Sequence, residues 1–415
     1  MSNPNYVDIS LNASGNLVEL AYSKLGPVNN FTDLLTSSVD PDTKLAALQI
    51  IHALEAWRFL TSATNAYLVN SKASTIHFAY YAQLRSAFSL FANSGIYSPG
   101  ITFDKHDTKI DNYYLNIHNQ KTVINNPEPT HKAAWKLWNE LIKRPDCEDL
   151  TLHNIRLLPT VVLNDFKTVL PYFTSLSTIN FGLDLACIDD DHKARNTASY
   201  SPYWLIDPLE KMQPNNVKLV ADLWGLLMKS GITQGFDTTL IQHIVQKSIF
   251  NRALTSEAVE AKRLDIAKKI SLNTGENEST IYRHLQRDPA VSPILDLVES
   301  TDIQAENVLC RAFYLAYFAT IAVRKNLNKT TNFSAKKWIE NWLEHAGIWN
   351  ASYGFSRSDL QDEYQLSLDE FSRLSTSTNL PEDLWSGESL PPYQSASYHT
   401  SRIARPEASI AWALP

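Results

Sequence analysis

The chain has 415 residues, 44% of them hydrophobic, with 10 Trp, 18 Tyr and 16 Phe; that much apolar surface offsets the conformational entropy of folding and excludes a disordered chain. Its length exceeds the size at which a single core usually stops growing, which predicts two domains. The 44 acidic residues are interspersed with 37 basic ones, for a net charge of −7, which argues against a broad phosphate-tracking surface while leaving room for a local basic pocket.

Cys147, Cys187 and Cys310 are odd in number and far apart, so neither a disulfide framework nor a zinc site is written, and a reducing cytoplasm is the compartment expected. The first residues, Met1-Ser2-Asn3-Pro4-Asn5, have no basic or apolar leader pattern. The most lipid-like stretch, Val308 to Val323, carries Arg311 and is too short to cross a bilayer, which predicts a buried core helix and no membrane partner.

In chain order, residues 1–40 are polar and turn-rich and read as an irregular arm. From Asp42 to about Val69, Leu45, Leu48, Ile51, Leu54, Trp57, Leu60 and Tyr67 recur at helical spacing. A second helix, Ser74 to Ala92, stops at Asn93-Ser94-Gly95. Residues 96–128 read as an insertion with room for a short hairpin. Helices are predicted at 130–144, 162–176 and 178–190, and, after a polar segment at 189–203, at 215–230, 237–250, 257–272, 278–286, 303–326, 334–346 and 357–375. The Ser- and Pro-rich stretch from Leu380 to Pro415 reads as an extended strap or partly disordered tail. The whole is therefore an all-α, multi-helix bundle in two lobes, 41–210 and 211–379, divided near Glu210-Lys211-Met212-Gln213-Pro214.

Three places could carry chemistry. The helix Ser74–Ala92 puts His77, Tyr81 and Arg85 at i, i+4 and i+8 on one face, beside the apolar stripe Phe78, Leu84, Phe88 and Phe91. Its ordinary explanation is a satisfied core histidine with a snorkelling arginine. The second place is Asp189-Asp190-Asp191-His192-Lys193-Ala194-Arg195-Asn196, followed by Tyr200. Here Arg195 and Asn196 could simply anchor a loop at a helix N-terminus. The acidic run has the oxygen ligands for a divalent cation, although such runs are more often solvated helix ends, and no metal is assigned. His131, at a predicted helix start, belongs to an ordinary capping sequence with Thr130 or Asn126.

Together, Tyr80-Tyr81-Ala82 through Gly95-Ile96 and Arg195-Asn196-x-x-x-Tyr200 resemble the HEPN superfamily of helical nucleotide-binding and RNA-cleaving domains, over roughly residues 45–205 with 96–160 as an insertion. The resemblance implies two motif copies facing each other across a dimer, the Arg stabilising charge on a phosphate, the His moving a proton, and the RNA 2′-hydroxyl attacking without metal. It also implies a place in defence against foreign genetic elements. A fixed guanidinium forks onto phosphate and imidazole titrates near neutrality, so those roles are chemically sound. Carried over, they fall on Arg195 at the phosphate, Asn196 orienting it, His77 or Tyr200 nearby and Arg85 as a second phosphate contact. Tyr200 stands where the family has His, and a phenol is a poor base at neutral pH. The proton transfer then falls to His77, His192 or His131, or the site binds without cleaving. The expected ligands are RNA or a nucleotide, with a homodimer or protein partner and no cofactor. A second reading is a non-catalytic helical subunit whose aromatic-rich surface and C-terminal strap dock onto a larger assembly, with exposed Trp and Tyr at 338–385 as its mark.

The third place, Ala261-Lys262-Arg263-Leu264-Asp265-Ile266-Ala267-Lys268-Lys269-Ile270 and then Ser279-Thr280-Ile281-Tyr282-Arg283-His284-Leu285, resembles the wording of helix–turn–helix DNA readers. The interval from Ser271 to Glu278 is longer than that motif's tight turn, which places DNA reading third, behind an ordinary helical hairpin.

Overall fold

The computed structural model describes residues 22, 41–97, 113–115, 121–123, 131, 134–135, 138, 150, 152–170, 188–200, 214–228, 235–250, 255–286, 294–330, 333–349, 357–376, 399 and 401–413. The expected N-terminal arm, apart from Tyr22, lies outside them. So do Cys147, Cys187, residues 171–187 of two predicted helices, and most of the lobe boundary at 210–214.

The protein is all-α. Helix α1 (Pro41–Leu68) and α2 (Lys72–Asn93) form a long antiparallel hairpin, turned at Asn70, whose φ of 56° an Asn tolerates. The spaced apolar residues of α1 behave as expected: Leu45, Leu48, Leu54, Trp57 and Leu60 are all buried. Asn216 donates from Nδ2 to the carbonyl of Tyr67 at 2.8 Å, covering one open carbonyl at the end of α1.

The insertion contains a small sheet: β1 (Ile96–Tyr97), β2 (Tyr113–Leu115) and β3 (Lys121–Val123) pair antiparallel in that order, Ile96 opposite Tyr114 and Tyr113 opposite Val123. A second hairpin, β4 (Arg156–Leu158) and β5 (Val161–Val162), turns at Pro159-Thr160 and precedes α3 (Leu163–Lys167). The helix expected at 162–176 thus begins on time, but its helical run closes at Lys167. The polar segment expected at 189–203 is instead helix α4 (Ile188–Tyr200) over its described part. It lacks a stripe of large apolar residues because the face it buries combines Asp191 and Arg195 with the small Ala194 and Ala198.

The second half comprises α5 (Pro214–Leu227), α6 (Phe236–Phe250), α7 (Ser256–Thr274), α8 (Glu278–Leu285), α9 (Ile294–Glu299), α10 (Ala305–Lys329), α11 (Phe333–His345) and α12 (Arg357–Thr376). Helix α10 is the expected core helix, buried continuously from Asn307 to Val323 and lying against α2 and α1. Trp57 of α1 donates to Thr320 Oγ1 at 2.8 Å and meets Phe313 edge-on at 6.1 Å; Gln49 accepts from Asn326 at 2.9 Å. The buried residues form one continuous cluster that includes α1, α2 and α5 to α12. No helix among the described residues is long and apolar enough to cross a membrane.

Two further expectations are corrected. The α7–α8 connection is three residues, Gly275–Asn277, not the eight counted from Ser271 to Glu278. Helix α7 continues to Thr274 and is stopped by Gly275 at φ 75°, a left-handed C-cap whose N–H returns to Ser271 O at 2.9 Å. The tail is not extended over 401–413: residues 401–403 are helical, Pro406–Ser409 form a 3₁₀ turn, and Ile410–Ala413 form α13. Ile403, Ala404, Ala408 and Ile410 are buried there, and Trp224 donates to Ile403 O at 2.6 Å. Local sequence hid this, because its Ser and Pro composition says nothing about the apolar residues the rest of the chain needs as a lid.

Candidate functional site around Arg195

Helix α4 is bolted in place by one buried ion pair. Asp191, fully buried, accepts from Arg311 Nε at 2.8 Å and Nη2 at 2.6 Å in a two-pronged contact, and from Gln83 Nε2 at 2.9 Å. Arg311 spends its remaining donors on the carbonyls of Ser300 at 2.8 Å and Asp302 at 2.9 Å. The acidic run is therefore no cation site of three free carboxylates: Asp191 belongs to Arg311, and Asp190 pairs with Lys193 at 2.7 Å.

With Asp191 turned into the core, the helical repeat turns His192, Arg195, Asn196 and Ser199 together toward α2. His77 Nδ1 lies 2.7 Å from Ser199 Oγ. The Arg195 guanidinium donates to Asn196 Oδ1 at 2.9 Å and to the Tyr81 hydroxyl, and lies 5.0 Å from the Tyr81 ring, 5.8 Å from that of Tyr200 and 5.9 Å from that of Tyr80. Its Nε is buried and has no hydrogen-bond acceptor among the described residues. The sequence candidates His77, Asn196 and Tyr200 are thus all gathered at Arg195. Asn196 orients the guanidinium, while the Tyr200 side chain is 77% exposed.

Arg85 is the exception. It turns to α1, where it pairs with Glu55 at 3.1 Å and approaches His52 Nδ1 at 3.4 Å. Burial depresses the His52 pKa, and Glu55 offsets only part of that effect. Neither His52 nor Glu55 stood out in the sequence, because each occupies an ordinary helical position in α1.

His131, read both as part of a cap and as one of three candidate proton carriers, packs beside the Arg195 helix. Its ring lies 5.6 Å from His192 at an interplanar angle of 6°, and both rings face Tyr80, at 5.6 and 5.4 Å. Trp135 donates to the Tyr80 hydroxyl at 3.0 Å, and that hydroxyl meets His131 Nδ1 at 2.8 Å. Trp135 can only donate, so the Tyr80 oxygen accepts that bond, and a Tyr80 proton donated to Nδ1 requires a neutral imidazole with its own proton on Nε2. Burial, then the charge of Arg195 and the nearby His192 and Arg85, push the His131 pKa down to about 4. Burial and then Arg195 lower that of His77 as well. The site holds one fixed cation beside neutral imidazoles, a combination that attracts a phosphate; His131 spends its acceptor nitrogen on Tyr80, which leaves His77 as the imidazole that can take a proton.

A second group the sequence did not reveal is His243, Asp296 and Glu299, whose ligating atoms lie within 4.8 Å of one another. The ammonium of Lys247 is ion-paired with Glu299, so a cation of the chain's own already occupies this group.

Comparison of the chain with protein-family models, with curated proteins and with solved structures returns no match.

Proposed function

We propose that this is a HEPN-like protein that takes the phosphate of an RNA or nucleotide at Arg195 and that, with a second copy or a related partner completing the site, cleaves RNA without metal. The observation that carries this reading is the meeting of His77 with the Arg195 helix, through Ser199 at 2.7 Å, beside a buried guanidinium Nε without an acceptor among the described residues. His77 would accept the 2′-hydroxyl proton, since burial and Arg195 favour its neutral form. Arg195 would hold the phosphoryl oxygen on which charge develops. Defence against foreign genetic elements in the cytoplasm is the setting this reading implies.

Binding without cleavage is favoured by Tyr200, whose exposed ring stands where the resemblance asks for an imidazole. At the surface the docking-subunit reading turns on, Trp338 and Tyr364 are buried in this chain's core, while Trp342 and Trp349 are half-buried.

The deciding experiment is a time course on a mixed RNA pool in excess chelator, with Arg195→Ala and His77→Ala beside the wild type. Chelator-resistant cleavage lost in Arg195→Ala supports the ribonuclease. RNA retention without cleavage, lost in Arg195→Ala, supports binding alone, and the absence of both overturns the proposal.

A further inference from the structure

We infer that α6, α7 and α8 form a second, separate site that binds double-stranded DNA, with α8 entering the major groove. The three-residue turn Gly275–Asn277 has the length and the left-handed glycine of a helix–turn–helix, in which the second helix reads base edges. Asn277 caps α8 by accepting from Thr280 N–H at 3.1 Å. The short helix is then fixed at three points. Ile281 and Leu285 are buried beneath it; Gln242 Nε2 closes its C-terminus by donating to the carbonyls of His284 at 2.7 Å and Gln286 at 3.1 Å; the Tyr282 hydroxyl donates to Glu260 at 2.6 Å. Glu260 is held in turn by Arg263, which also reaches Gln246 of α6.

Such anchoring leaves Ser279 and Arg283 exposed at i and i+4, and Gln286 exposed just past the end of α8; the Ser279 hydroxyl donates to Asn277 Oδ1 at 2.6 Å and the Gln286 side chain meets Tyr282. These side chains match base edges: Arg forks onto guanine, Gln onto adenine, and Ser suits either purine or pyrimidine partners. Flanking cations offer phosphate contacts to the same occupant. Lys262 and Lys268 of α7 are exposed, and neither they nor Arg283 makes a salt bridge to any described residue. Of the acidic neighbours, Asp265 pairs with Lys269 and Glu260 with Arg263, Glu276 accepts from the Thr160 hydroxyl at 2.5 Å, and Glu257 and Glu278 make no salt bridge to any described residue. Duplex RNA does not fit, because its deep, narrow major groove shuts out a helix.

The test is enrichment from a duplex DNA library with a randomised centre, using the full chain, followed by titration of the enriched duplex against wild type, Arg283→Ala, Ser279→Ala, Lys268→Ala and Arg195→Ala. The inference expects an enriched sequence. Arg283→Ala weakens it about tenfold or more, and Lys268→Ala weakens all duplexes alike, lowering the salt slope by about one. Arg195→Ala binds as wild type, which separates this site from the RNA site. Because Arg283 is exposed, unchanged circular dichroism is expected of its variant. Failure to enrich any sequence, equal binding by Arg283→Ala and Ser279→Ala, or equal affinity for duplex RNA would each overturn it and leave an ordinary helical hairpin.

Discussion

Replacing Asp191 by Asn keeps the side chain's shape and removes its charge, leaving Arg311, 1% exposed, as a buried cation. Arg311 would retain the carbonyls of Ser300 and Asp302, which accept its hydrogen bonds without balancing its charge. Breaking one side of a buried pair costs about 3–5 kcal/mol, mostly as the penalty of the charge left behind. With an unfolding entropy of roughly 2.1 cal/mol/K per residue, the 415-residue chain gains about 0.9 kcal/mol/K on melting, so Asp191→Asn should lower Tm by about 3–6 °C if unfolding is two-state. Arg311→Met should do the same from the other side, by stranding the Asp191 carboxylate with only Gln83. The double variant Asp191→Asn/Arg311→Met strands no charge and should recover most of the loss, a coupling measurable by denaturation of all four proteins. Losses that simply add in the double variant would refute the pair as the bolt holding α4.

Acid should weaken the fold through His131. Its folded pKa of about 4 lies below the unfolded value of about 6.5, so between those values the unfolded chain binds more protons and stability falls as pH falls; denaturation midpoints at pH 7 and 5 should converge in His131→Gln. Trp224→Phe removes the donor to the buried Ile403 carbonyl and should cost about 1–3 kcal/mol, read by denaturation and by faster proteolysis around residues 401–413. At Gly275 nothing crowds an added Cβ, so Gly275→Ala should cost only the backbone strain of its positive φ, about 1–2 kcal/mol, and Gly275→Asn less; equal stability of all three forms would dispose of the left-handed cap.

Long helices were legible because their burial is apolar and periodic: α1, α2 and α10 announce themselves in Leu45 to Leu60, in Ser74 to Ala92 and in Val308 to Val323. The candidate site was half legible. His77, Arg195, Asn196 and Tyr200 are chemically conspicuous, whereas His131 reaches Arg195 only through folding of a distant segment and has no local signal. Arg311 was visible as a charge in an apolar run, but its partner could have been any of three adjacent aspartates, and only the rotation of α4 selects Asp191. The α7–α8 turn was misjudged because Asn273 and Thr274 are weak helix formers that tertiary packing nonetheless keeps helical up to Gly275.

The composition of α4 explains why the Arg195 site is sensitive to its surroundings. A helix with the sequence IDDDHKARNTASY has little apolar area to bury, so its position depends on the Asp191–Arg311 contact, the Gln83 hydrogen bond and the ring contacts of His192 with Tyr80 and His131. Those interactions are directional, so a small rotation of α4 breaks several of them at once, whereas an apolar face would let the helix slide. The same rotation sets the distance from Ser199 to His77 and from Arg195 to Tyr81. Stability and site geometry are therefore one variable here: Asp191→Asn, although its side chain bonds to Arg311 and Gln83 rather than to Arg195, should displace the guanidinium and lower RNA retention along with Tm, whereas Trp224→Phe should lower stability and leave RNA retention unchanged.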